Sequence, residues 1–328
     1  MRTIRPFRRL TATLAAGTLA LSLAACGGGS SADEPASQVT IGYQPGLGYA
    51  PLLIAKQSGS LEDALEGVDV KWQVLDSGAA IRDGVISGDI QIAAGGAGPF
   101  IVGRDGGVTW KTIMAMNNMD LQLMAKDPAI TSLKDLEGGK IAMPAPDSIQ
   151  SVVLRKGAEE ELGDPAALDK AIVSLGHPDG LQALVSGQID AHLTSPPFQA
   201  QEAVQGAKPI LDSYDLFGEH TFNSLYATEE FAAANPETIS ALEKAIEDAT
   251  VMLNEDPQKA AKLLSEESGG ELSPNEMLTQ IQDKDVEFTN TPTGFEKFAS
   301  FMAEIGMIKE APSTEDMFFE NDYTADAS

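Results

Sequence analysis

Residues 39–59, VTIGYQPGLGYAPLLIAKQSG, set a β-branched run against a proline and glycine turn, followed by an apolar stretch with helical spacing. A strand that turns at once into a helix is the first half of a parallel α/β unit, and the residues downstream repeat the device. Strands are predicted at 39–43, 69–75, 90–94 and 110–116, with helical segments at 50–65, 79–88 and 99–107 between them. A further strand at 121–127 leads to a second set at 140–144, 171–176, 189–195 and 208–213. Residues 222–231, FNSLYATEEF, then open a long helical tail. Two α/β sets followed by helices imply an α/β protein of two lobes, each a doubly wound sheet, with the tail returning over the first.

The tail is punctuated by helix starts. Asn235-Pro236 and Asp256-Pro257 each place a capping side chain before a proline at the first helical position. Ser273 to Glu276 and Thr293 to Glu296 both fit the capping box. These helices read as structural, with acidic outer faces.

Of the 328 residues, 43% are apolar, enough for a sizeable core, and one is cysteine, so disulfides contribute nothing. That residue, Cys26, follows Arg2, Arg5, Arg8, Arg9 and the 15 small and aliphatic residues LTATLAAGTLALSLA. As a helix this run reaches about 22 Å, short of a hydrocarbon core of about 30 Å. Residues 1–25 therefore read as a signal peptide rather than a span. LAAC (23–26) resembles the lipobox of bacterial lipoproteins, which implies a lipid on Cys26 and an exported chain held at the outer face of the cell membrane. Arg8-Arg9 leaves the general and the twin-arginine export routes both open. Residues 26–37, rich in glycine, serine and acids, read as a flexible tether.

The net charge is −27, and loss of the four leader arginines takes it to −31, 18 basic against 49 acidic residues. Such a surface excludes nucleic acid as a partner of the body. It does not fix the charge of a ligand, because screening over about 8 Å lets local groups in a cleft outweigh the global sum.

In open α/β sheets a ligand lies beyond the carboxyl ends of the strands, at helix N-termini. Strand ends of the first set give Tyr43, Gln44, Gly48 and Tyr49, then Ser77 and Gly78, then Gly96, Ala97, Gly98, Pro99 and Phe100, then Asn117 and Asn118. GGAGPF (95–100) lacks the lysine and hydroxyl of a P-loop, so it reads as backbone amides brought close to a ligand. The second set gives Pro146, Asp147 and Ser148, then His177, then Thr194, Ser195 and Pro196, with Asn223 and Tyr226 on the return. Tyr43, Tyr49 and Phe100 are candidates to stack on the ligand. Arg82 and Arg104 read as surface residues balancing acids rather than as anion anchors.

The segments 39–59, LDSGAAIRDGVISGDIQIAAGGAGPFI (75–101), SLKDLEGGKIAMP (132–144) and GLQALVSGQIDAHLTSPPF (180–198), in that order, resemble a solute-binding lipoprotein of an ABC importer. The branch is the nitrate, sulfonate and taurine group, which also includes binders of thiamine-precursor pyrimidines. The resemblance implies a type II periplasmic-binding-protein-like fold with two crossover strands. Lobe 1 would hold 38–120 plus 225–328 and lobe 2 would hold 121–224, the crossovers falling near 121–126 and 221–227. It also implies a monomer that carries a small organic solute, a sulfonate or taurine-like anion or a relative, to a permease with a cytoplasmic ATPase. The alternatives are a pyrimidine binder and a ligand sensor that feeds a membrane signalling protein.

Catalysis is not expected. A yeast-type pyrimidine synthase shares the fold, but its family carries a cysteine-rich catalytic run and this chain has only Cys26. There is no G-x-S-x-G elbow. His177, His192 and His220 fit no compact metal-ligand spacing, so neither a metal nor a cofactor is expected.

Overall fold

The computed structural model describes residues 36–327; the predicted leader, the Cys26 lipid site and most of the tether lie outside them. The first βα unit is β1 (Gln38–Tyr43) and α1 (Ala50–Ser58), followed by α2 (Ser60–Ala64) and β2 (Asp69–Val74). Next come α3 (Gly78–Ser87), β3 (Ile92–Gly95), α4 (Ala97–Asp105) and β4 (Trp110–Met119). β1 is parallel to both β2 and β3, and Val39, Ile41 and Tyr43 are all buried in it. A side chain of that size contributes about 1.5–3 kcal/mol on burial. β3 begins two residues later than predicted. Ile90 instead turns its side chain onto Gly42 and Gly84, where an added Cβ would lie 2.7 and 2.5 Å from it.

The second set is β5 (Gln122–Ala125), β6 (Ile141–Met143), α5 (Ile149–Leu162), β7 (Ile172–Ser174) and α6 (His177–Ser186). It ends with β8 (Ala191–Thr194), α7 (Phe198–Val204), β9 (Lys208–Asp212) and α8 (Ser213–Phe217). β10 (Thr221–Thr228) returns to the first set, followed by α9 (Glu229–Ala234), α10 (Pro236–Glu255), α11 (Pro257–Glu267), α12 (Pro274–Ile281), β11 (Val286–Glu287), α13 (Phe295–Glu304) and α14 (Thr314–Met317). One sheet has the order β11-β4-β10-β3-β1-β2 and the other β7-β6-β8-β5-β9. Each joins a parallel core to antiparallel strands, β10 in the first and β5 in the second. The tail covers the first sheet, with α10 against α1 and β4 and α13 against α4. Among the described residues no helix is long and apolar enough to cross a membrane.

The chain crosses between sheets twice, though not within the strands expected. Among the described residues β5 pairs only with β8 and β9, and β10 only with β3 and β4, so residues 221–224, which the sequence assigns to lobe 2, bond in the first sheet. The crossings run through Asp120-Leu121 and through 213–220. Both meet at Ser213, whose Oγ donates to Asp120 Oδ1 (2.9 Å), accepts from Leu121 N–H (2.8 Å) and lies 2.9 Å from His220 Nε2. Burial pushes the Asp120 carboxyl up to about 6 and the His220 imidazole down to about 4.

Two of the predicted tail caps fail. Asn235 spends its Oδ1 on Ala36 N–H (2.7 Å) and gives the start of α10 no bond. Gly294, in the left-handed region (φ 80°), begins α13 in place of the Thr293 box, and Thr293 N–H instead donates to Thr221 Oγ1. Asp256 and the Ser273–Glu276 box cap as expected.

Candidate functional site

The carboxyl ends of the two sheets face each other and touch. Leu47 N–H, from the loop after β1, donates to Pro196 O after β8 (3.1 Å). Gly96 and Gly98, at the start of α4, meet the start of α5: a Cβ on Gly98 would lie 2.6 Å from Asp147 O and 2.8 Å from Ile149 N. GGAGPF thus supplies close backbone approach, as the sequence suggests, but the backbone it admits is the opposite lobe's. Gly78 instead makes room within its own lobe, where a Cβ would lie 2.6 Å from the Pro99 ring. Ser77 caps α3 through Ala80 N–H (3.2 Å), and Ser148 caps α5 through Ser151 N–H (3.2 Å).

Between these contacts lies a buried polar cluster. Asn117 on β4 and Asn223 on β10 are register partners on adjacent strands, each fully buried. Asn117 Nδ2 donates to Gly48 O (2.5 Å), which leaves its Oδ1 without a partner among the described residues; both amide atoms of Asn223 also lack one. Gly48 packs beneath the Asn223 amide and the Phe222 ring, where any side chain would collide. Tyr49 donates to Gln44 Oε1 (3.2 Å), and Gln44 Nε2 to Asp76 O (3.2 Å). Burial raises the Tyr49 phenol far above its ordinary value, so it stays a donor.

The second lobe contributes His177 between Thr194 Oγ1 (3.0 Å from Nδ1) and Gln150 Nε2 (3.3 Å from Nε2). With Gln150 donating, the ring carries its proton on Nδ1. Burial, then neighbouring His192, holds its pKa well below the ordinary range, so the ring is neutral. Phe198 stacks on it at 5.5 Å. Beneath, His192 Nδ1 lies 2.6 Å from Glu202 Oε1 with both side chains fully buried.

Several predicted ligand contacts are spent elsewhere. Phe100 is core, stacked on Tyr226 at 4.5 Å, and the Tyr226 hydroxyl donates to Gly95 O (2.9 Å). Asn118 points to the other face of β4. There its Nδ2 donates to Glu287 Oε2 (2.8 Å) and its Oδ1 accepts from Thr221 (3.1 Å), pinning the strands together. Pro146 is exposed and offers its carbonyl to Ser151 and Arg155. Arg82 balances acids, as the sequence suggests, but does so across the cleft: it pairs with Asp147, both side chains about one-fifth exposed. Arg104 donates to Trp110 O (2.5 Å), within its own lobe.

Beside the cluster, on the other side of the loop after β1, opens a cavity of about 580 Å³. Tyr43, Leu47 and Leu53 line it from one lobe, Leu181, Pro197 and Phe198 from the other, and Leu264, Leu272 and Met277 from α11 and its surroundings. Of the strand-end residues that the sequence offers it takes in Tyr43, Pro45, Gly46 and Leu47; the Tyr43 hydroxyl accepts from Lys56 Nζ (2.9 Å), itself paired with Glu267 (2.8 Å). The sequence reading missed the Gln150, Phe222 and Phe198 contacts as well as the α11 wall; Phe198 was legible, since it ends the TSPPF mouth. Among the described residues no three acidic, histidine or cysteine side chains converge as metal ligands.

Two α/β sheets crossed twice by the chain and closing on a polar cleft at their carboxyl ends define the two-lobed periplasmic-binding-protein fold. Within that class the chain belongs to the NMT1-like family, whose model matches residues 32–265. It is 28% identical over 254 residues to a Bacillus subtilis (strain 168) protein named for binding aliphatic sulfonates, 74% of each chain. It is also 28% identical over 219 residues to the taurine-binding periplasmic protein of Escherichia coli (strain K12), 65% of this chain and 66% of that one. Among solved structures, the alkanesulfonate-binding protein SsuA of Xanthomonas axonopodis pv. citri, bound to MOPS, superposes with a TM-score of 0.68 at 20% identity, over 85% of this chain and 96% of its own. These relatives are named as binding proteins, not enzymes.

Proposed function

We propose that this protein is an exported solute-binding lipoprotein, anchored through Cys26, that captures a small organic solute of the sulfonate or taurine-like kind and hands it to an ABC importer permease. The lobes divide near 120/121 and 220/221, and the protein acts as a monomer. The observation that carries the reading is the buried pair Asn117 and Asn223, three of whose four amide atoms lack partners among the described residues at the point where the two sheets close. A buried polar group without a hydrogen bond costs about 1–3 kcal/mol, which a solute held there would restore. Capture by closure follows: ligand free energy shifts an open–closed equilibrium, and the closed form docks on the permease.

The test is a thermal-shift and scattering screen of taurine and simple alkanesulfonates. At a hundredfold excess over Kd, a true ligand raises the melting temperature by about 5–10 °C and makes the chain more compact. Combining Asn117→Ala with Ser195→Ala, one position from each lobe, removes that shift; an unchanged shift rules out the cleft as the binding place.

A further inference from the structure

The orientation of the Asn117 amide is fixed. Its Nδ2 lies 2.5 Å from Gly48 O, and turning the amide over would set two carbonyl oxygens against each other. Its free atom is therefore Oδ1, an acceptor. Asn223, beside it in register, adds one acceptor and one amino group. The pair thus offers the ligand more acceptors than donors.

The cations that would reverse this balance are committed. Arg82 is held by Asp147, and Lys56 by Glu267 and the Tyr43 hydroxyl. His177 is enclosed by Thr194 and Gln150 and is not charged. A bare oxyanion placed against the pair would satisfy the Asn223 amino group alone. It would leave two buried carbonyl oxygens facing negative charge, with no counter-ion.

We infer that the cleft selects ligands whose buried end carries hydrogen-bond donors, an ammonium, amide or amidine group, and that an oxyanion group, where the ligand has one, lies toward the outer side of the cleft. The inference rests on the cleft reading proposed above and narrows it: Asn117 and Asn223 are specificity residues that read donors, not anion anchors.

Two matched sets of probes test it by calorimetry on the full chain. Taurine, isethionate and ethanesulfonate share a sulfonate on two carbons and end in an ammonium, a hydroxyl or a methyl group. Nicotinamide and nicotinate share a ring and exchange an amide for a carboxylate. The expected order is taurine over isethionate over ethanesulfonate, with at least about tenfold across the series, and nicotinamide over nicotinate. Asn223→Ala shrinks the spread to within about twofold by weakening the donor-bearing probes. Asn223→Asp, the same shape with a carboxylate, widens the gap between taurine and ethanesulfonate by about tenfold or more. Binding with no dependence on donors, or equal losses for all probes in Asn223→Ala, overturns the inference and leaves the cleft reading standing. No binding and no compaction with any of the five probes overturns both.

Discussion

The two walls of the cleft are built on opposite terms. On the first sheet, Asn117 and Asn223 present three amide atoms that nothing among the described residues pairs. On the second, His177, Thr194 and Gln150 bond one another, and His192 and Glu202 share a 2.6 Å contact in a fully buried setting. Both walls are polar and buried, and they differ in degree: the His177 ring has both nitrogens paired, while deeper in the second wall His192 Nε2 and Glu202 Oε2 keep no partner among the described residues. Polar groups satisfied by one another, as His177, Thr194 and Gln150 are, tolerate burial because each has recovered what it lost on leaving water, and they offer a solute less than the asparagine pair does. On the function proposed above, recognition rests chiefly on the asparagine pair of the first lobe, with His177 and its partners as the shaped wall opposite.

The largest effect that would break this contrast comes from Glu202. Removing it leaves His192 buried at full depth without its partner, beneath Gly180, which has no room for a side chain over the ring. Glu202→Ala should cost about 1–3 kcal/mol of folding stability for the polar group left unpaired, read by denaturant unfolding. Solute affinity of the protein that remains folded should change by less than about threefold. A large loss of affinity at unchanged stability would move recognition to the second wall and end the comparison.

The same pair sets a pH signature. Burial pushes the Glu202 carboxyl up to about 8 and the His192 imidazole down to about 3. The carboxyl term is fully present below its unfolded value of 4.5 and fades as pH rises to 8; the imidazole term is fully present above 6.5 and fades as pH falls to 3. Between 4.5 and 6.5 the two slopes cancel, because folded and unfolded chains each hold one proton on the pair. Relative to Glu202→Gln, whose amide does not ionise, the parent should lose about 1–2 kcal/mol between pH 6.5 and 8. Parallel stability curves for parent and variant across that range would show that the pair does not titrate as a buried unit.

The same alternation of strands explains what was legible in the sequence. β-branched runs and Gly-Pro turns announce the parallel cores, and Ser77 and Ser148 sit where a strand end becomes a capped helix. Asn117 and Asn118 are adjacent on one strand, so only one can face the cleft; side-chain alternation says that much, and the partner strands β10 and β11 decide which. Phe100 follows the glycine turn and reads as a cleft aromatic, but three residues into α4 its side chain turns inward against Tyr226 and Trp110. The crossings fall outside the expected stretches because 121–126 and 221–227 read as crossover strands without revealing which sheet they join. No local signal brings Leu264 and Met277, on the successive helices α11 and α12, to the wall of a cavity shared with Leu181 of α6, far earlier in the chain.

The smallest effect concerns how the lid is held. Arg82 of α3 and Asp147 before α5 pair across the cleft mouth, and Asp83 lies 3.6 Å from the same guanidinium. The pair exists only when the lobes are together, so its free energy belongs to closure and not to the fold of either lobe. Both side chains keep about one-fifth exposure, and solvent screens such a pair to about 1 kcal/mol or less. Arg82→Ala should therefore weaken solute binding by about threefold to fivefold through faster release, with thermal stability of the solute-free chain nearly unchanged. Raising salt should erode the difference between parent and variant, because the interaction sits at the mouth, whereas the contribution of the dry asparagine pair should hardly respond. A salt-independent loss in Arg82→Ala would place the guanidinium on the solute itself and give the first wall the cation that its geometry otherwise withholds.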